Sequence, residues 1–116
     1  MQFTDQELDD LLNQPGPPQL SGTDLSGANL SGRHLFGADL SNANLTSAYL
    51  DGAYLKNANL RGADLTGADL TNADLSGANL SDAKLINAKL TRANLRGADL
   101  TNTDFTGAEM AGVEKI

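Results

Sequence analysis

Leucine recurs at every fifth position from Leu20 to Leu100, 17 times without a miss. Phe105 and Met110 continue the register, which makes 19 five-residue units. Internal periodicity this strict outranks local propensity and is read first. Five residues of α-helix advance about 500°, a net 140°, so a helix would scatter these leucines around its axis. A straight strand alternates faces, so an odd spacing sends successive leucines to opposite sides. Neither element gathers them into one core.

The positions around each leucine say what does. Two residues before it stands Ala in 15 of the 19 units, and one residue before it Asp or Asn in 12. One residue after it stands Ser or Thr in 12 units, and two after it Gly in 11 and Asn in five. A three-residue extended stretch puts Ala and Leu on one side and the Asp or Asn between them on the other. The two remaining residues must turn the chain, and Gly and Asn tolerate the positive φ that turns require. Each unit is thus a short side and a corner. Repeated corners wind the chain into a coil with Leu and Ala inside.

Units such as Ala63-Asp64-Leu65-Thr66-Gly67 and Ala78-Asn79-Leu80-Ser81-Asp82 read as A(D/N)LXX, and the chain resembles the pentapeptide repeat family over about 95 of its 116 residues. The resemblance implies an all-β fold, a right-handed quadrilateral parallel β-helix with four units per coil and leucine stacked in the interior. Residues 18–112 then supply four to five coils, a rod of roughly 22 Å at about 4.8 Å per coil. Its interior should be filled by Leu and Ala and hold no ligand cavity.

Two segments follow. Residues 1–17 are expected to form a capping α-helix and a Pro-rich link, and residues 18–116 the β-helix. Thr4-Asp5-Gln6-Glu7 is a capping box, with Phe3 and Leu8 placed as its hydrophobic staple. Leu8, Leu11 and Leu12 fall on one helical face, Asn13 and Pro15 end the helix, and Pro15-Gly16-Pro17-Pro18 is a stiff link. A solenoid end exposes apolar core, so such a lid is expected over the first coil. The other end carries Phe105, Met110, Val113 and Ile116 instead of a lid. These predict self-association, a homodimer through the C-terminal coil.

The chain has no Cys and one His, which excludes disulfides, thiolate zinc and thiol catalysis. No catalytic, cofactor-binding or metal-binding residue is expected, and no cofactor. The net charge of −7 argues against direct nucleic-acid binding through a basic patch. No apolar run approaches the roughly 18 residues of a membrane span. The acidic N-terminal segment does not read as a secretory leader, so a cytoplasmic location is expected. Sequons at Asn29, Asn44 and Asn79 are by-products of the repeat text.

The departures from the repeat cluster near its start. Arg33 sits where 15 other units have Ala, and His34 and Phe36 flank the same centre, Leu35. With 20 residues per coil, Tyr54 should stack over His34, with Tyr49 on the preceding side. Arg33 at an inward position needs a partner. One reading docks it against the helix through Asp9 or Asp10. The other makes Arg33, His34, Phe36, Tyr49 and Tyr54 a patch that binds a partner protein, since aromatics and Arg are the usual interface anchors.

The function expected is non-enzymatic: a rigid solenoid serving as a protein–protein interaction or scaffold module. The alternative comes from the resemblance, because quinolone-resistance members of the family are dimeric rods that occupy the DNA site of type II topoisomerases. A DNA-mimicking inhibitor of gyrase would present Asp24, Asp64, Asp69, Asp74, Asp99 and Asp104. Residues 20–112 hold ten acidic and seven basic side chains. B-DNA over a rod of that length carries about 13 negative charges.

Overall fold

The computed structural model describes residues 1–115, so Ile116 lies outside the described residues. One helix, α1 (Asp5–Leu12), precedes the repeat. From Gln19 onward every parallel bridge joins a residue to the one 20 positions later, from Gln19↔Asp39 to Asn94↔Glu114. Four units therefore close each turn of the coil. The pairing is a stack of isolated bridges, one per side, because a corner follows each side before a longer strand can form. The bridge residue is the one just before Leu, and both its backbone groups pair with the coil below, while the residues on either side of it pair with the coil above. Asp39 N–H, for example, donates to the Pro18 carbonyl at 2.9 Å, and its own carbonyl accepts from Leu20 N–H at 2.8 Å.

The corners follow from the residues two after each Leu. All 19 of them have positive φ, eleven as Gly and eight as other residues. The Asn members, such as Asn42 at 57°, tolerate this conformation best among non-glycines. Asp82 shares that tolerance, whereas Ser47 and Arg92 adopt it without the advantage. At Gly62, Gly77 and Gly107 a glycine sits directly over an Asn. A Cβ on Gly62 would stand 2.3 Å from the Asn42 side-chain oxygen one coil below.

A second device locks the corners. The Asp or Asn just before Leu accepts from the backbone N–H two residues on, as Asp64 Oδ1 does from Thr66 at 3.0 Å, and also from the Thr66 hydroxyl at 2.6 Å. Hydroxyl residues and Asp/Asn are therefore paired in sequence. Ser or Thr follows in ten of the 12 Asp/Asn units and in two of the other seven.

The interior is Leu and Ala. Every unit Leu from Leu20 to Leu95 is at most 2% exposed, and Ala lines the same column walls from Ala28 to Ala93. Among the described residues, no fully buried side-chain polar atom lacks a hydrogen-bond partner. At about 2 kcal/mol per buried Leu, this ladder is the main stabilising element.

At the N-terminal end α1 starts on the expected capping box. Glu7 N–H donates to Thr4 Oγ1 at 3.1 Å, and Thr4 N–H donates to Glu7 Oε1 at 2.9 Å. Asn13 ends it. Leu8 is 4% exposed and joins the core cluster, with Phe3 and Leu12 packed against it. Leu11 departs from the expected apolar face: it is 36% exposed. Residues before the helix close an edge that the sequence did not flag. Gln2 N–H donates to the Asp24 carbonyl at 2.9 Å, and Asp24 N–H donates to Gln2 Oε1 at 2.7 Å. These bonds satisfy backbone groups that a bare first coil would leave open.

Candidate functional site

Where the repeat puts an aromatic just before Leu, it places a large ring outside a wall that otherwise carries short polar groups. His34 and Tyr54 are bridge partners, so their side chains leave the wall one above the other. Their rings stack with centroids 4.9 Å apart and 19° between planes. Phe36, one residue past the neighbouring Leu, brings its ring to 5.8 Å from His34 and 5.6 Å from Tyr54. Phe36 is 47% and Tyr54 42% exposed, so the cluster is a surface and not an extension of the core. Tyr49, at 54% exposed, stands one corner away on the preceding wall. The fifth member of the predicted patch is turned elsewhere. Arg33 Nη2 donates to Asp9 Oδ1 of α1 at 2.6 Å, so Arg33 docks the helix by the first of the two expected contacts.

Beside Tyr49 lies a hollow of about 450 Å³, lined by Asn29, Ser31, Tyr49, Asp51 and Asp69. A second, of about 340 Å³, shares Asn29 and Ser31 with it and reaches Asp5, Leu8, Asp9 and Arg33. Ser31 Oγ donates to Asp51 Oδ1 at 2.6 Å across one coil step. Asp69 Oδ1 accepts from Thr71 N–H and hydroxyl at 3.0 and 2.6 Å. Partial burial raises the Asp69 pKa, but the Thr71 hydrogen bonds and the nearby Lys89 outweigh it and hold the carboxyl below its ordinary value.

The six acids of the alternative reading, Asp24, Asp64, Asp69, Asp74, Asp99 and Asp104, each tie Oδ1 to their own corner through the same pair of donors. Asp39 does likewise and belongs with them. For Asp24, Asp39, Asp99 and Asp104 the hydroxyl, then the amide, lowers the pKa. Lys84 bridges between Asp64 and Asp104, and Lys89 between Asp69 and Glu109, as the 20-residue stacking predicts.

At the far end Phe105, Met110 and Val113 pack against the last core layer and stay partly exposed, while Ile116 lies outside the described residues. Among the described residues no three His, Asp or Glu are grouped to hold a metal, and no helix is long and apolar enough to cross a membrane.

The pentapeptide repeat model matches residues 19–50, 38–77 and 78–113, with eight copies. A pentapeptide repeat protein of the Arabidopsis thaliana thylakoid lumen is 44% identical, over 81% of this chain and 66% of that one, with a TM-score of 0.79. One from the cyanobacterium Cyanothece 51142 is 36% identical, over 90% of this chain and 68% of that one, with a TM-score of 0.49. QnrB1, a plasmid-mediated fluoroquinolone resistance protein, is 26% identical, over 84% of this chain and 64% of that one. Its TM-score of 0.40 lends no support to a shared role. The chain spans just under two thirds of the Arabidopsis protein's length. Comparison with the curated proteins finds no match. The 20-residue bridge spacing, the stacked leucines and the family match over residues 19–113 agree, and the chain belongs to the pentapeptide repeat family, whose members are known as right-handed quadrilateral β-helices.

Proposed function

We propose that this protein is a non-enzymatic interaction module, a rigid rod of four to five coils lidded by α1 that presents a wall to a partner protein. The observation that carries this reading is the cluster of His34, Phe36 and Tyr54, stacked with one another and left open to solvent. Rings held rigidly on a wall lose little entropy on binding, and aromatics are frequent interface anchors. Tyr49 extends the surface around the corner. Arg33 supports it indirectly, by holding α1 against the first coil. The filled interior supports the same reading, because it leaves no internal cleft where a substrate would be enclosed. A second copy of the chain is proposed at the opposite end, through Phe105, Met110 and Val113. A cytoplasmic location goes with this proposal.

The observations favour this reading over DNA mimicry. Each candidate acid serves its own corner, and Lys84 and Lys89 interrupt two of the acidic columns. A gyrase supercoiling assay should therefore show no inhibition at micromolar protein. The direct test is affinity capture from lysate of the source cell, with a Phe36→Ser, Tyr54→Ser variant beside the parent. A protein retained by the parent and lost by the variant is expected. Equal recovery by both would contradict the assignment of the wall.

A further inference from the structure

Taking this wall as a docking surface, we propose that its occupant is an extended, basic segment of another protein, with an arginine or lysine side chain seated in the hollow beside Tyr49. Among the described residues the exposed large apolar side chains, Met1, Leu11, Phe36, Tyr49 and Tyr54, all fall within the first 55. The charge is divided at the same place. Residues 1–55 hold seven acidic and one basic side chain, whereas residues 56–116 hold eight and seven. Most of the net charge therefore lies in α1 and the first two coils, with Lys56 one coil above Phe36 and Lys89 one coil above Asp69 as the nearest cations of the remaining rod.

The one basic side chain of this half is already engaged, since Arg33 is paired with Asp9. The terminal amine sits 3.7 Å from Asp24. By contrast, Asp51 and Asp69 form no ion pair within 4.0 Å among the described residues, although Lys89 stands one coil above Asp69 and lowers its pKa. Each has one oxygen fixed by a hydroxyl, from Ser31 and from Thr71. That hydrogen bond orients the carboxylate and leaves its second oxygen for a guest. Tyr49 supplies a face on which a guanidinium stacks, while the two carboxylates supply charge-assisted acceptors. The neighbouring hollow under α1 continues the trough with Asp5 and Asp9. The Phe36–Tyr54 cluster around the corner offers apolar contact to the residues that flank the cation. An acidic segment or a nucleic acid meets an unfavourable field here.

The test is fluorescence anisotropy of the intact protein with two labelled peptides, one of alternating arginine and leucine and one of alternating glutamate and leucine. The basic peptide is expected to bind. Tyr49→Ser and a combined Asp51→Asn, Asp69→Asn variant should each weaken it about tenfold or more. Asp99→Asn, Asp104→Asn, which removes equal charge near the C-terminal end of the rod, should leave it within about twofold. Circular dichroism confirms that each variant keeps the fold. Equal weakening by the distal variant would reduce the effect to net charge and overturn the proposal. Preference for the acidic peptide, lost in Tyr49→Ser, would overturn the basic occupant but leave the docking surface standing. Binding of neither peptide overturns the proposal as well, and the capture experiment with Phe36→Ser, Tyr54→Ser still judges the surface by itself.

Discussion

The two ends of the rod have the same repeated interior and different fates. At the N-terminal end Leu20 is 2% exposed, although no coil lies beneath it. Leu8 and Phe3 cover that layer, Gln2 pairs with the first-coil backbone, and Arg33 pins the helix through Asp9. At the C-terminal end Leu100, Phe105, Met110 and Val113 are all partly exposed. The repeat can bury only what lies between two coils, so an end is sealed by residues from outside the pattern. The N-terminal end has them, and in acquiring them it also departed from the repeat at Arg33, His34 and Phe36. The sealing elements and the candidate docking surface are thus neighbours, and Arg33 stands beside both.

The sharpest contrast is between either end and the middle. Leu60→Asp places an unpaired charge in a dry column, a cost above about 4 kcal/mol, and thermal denaturation should show the fold lost. Leu8→Ala at the sealed end should cost about 2 kcal/mol, because a buried side chain is truncated where the structure can partly relax. Met110→Ala at the open end should cost about 1 kcal/mol or less, since its side chain is already part-exposed. Denaturant midpoints for the pair read the asymmetry directly, and equal losses would break it. Ser47→Gly, at a corner of the second coil, should stabilise by about 1 kcal/mol by removing a left-handed non-glycine. The Arg33–Asp9 pair is partly exposed, so a double-mutant cycle should return about 0.5 kcal/mol and shrink with salt.

The smallest effect is a pH dependence. The carboxyls of Asp24 and Asp39 near one end, and of Asp99 and Asp104 near the other, titrate below their ordinary value in the folded protein. A lowered folded pKa stabilises the protein above the unfolded pKa, at about 4, and that contribution is lost as pH falls through the folded one. Stability should be level at neutral pH and decline below about pH 4. Asp39→Asn keeps the corner acceptor but removes the titration, so it should flatten part of that slope.

Most of the architecture was legible because each repeat position has one physical job. The leucine ladder and the positive-φ corners follow from the period of five, while the stacking of Tyr54 over His34 also needs the four sides that the family resemblance implies. The capping box and the Arg33–Asp9 contact were legible too, being local in one case and forced by an inward Arg in the other. What was missed depended on side-chain partners beyond the pattern. Gln2 pairs across 22 residues with Asp24, which no spacing announces. The tie between Asp39 and Ser41 was written in the sequence, as the pairing of Asp or Asn with Ser or Thr, but the two positions were read separately. Helical spacing puts Leu11 on the apolar face, but the rod covers only the Leu8 and Leu12 part of it. The candidate docking surface was legible only as a departure from the repeat, because the repeat itself dictates nearly every other wall position.

The most direct test of the central claim sets the two ends against each other in one capture experiment. The parent, Phe36→Ser, Tyr54→Ser and Phe105→Ser, Met110→Ser would be run side by side against the same lysate. The account predicts that a foreign partner is lost only in the first variant, while the second loses only self-association. Loss of the foreign partner in the C-terminal variant, with full retention in the N-terminal one, would contradict it.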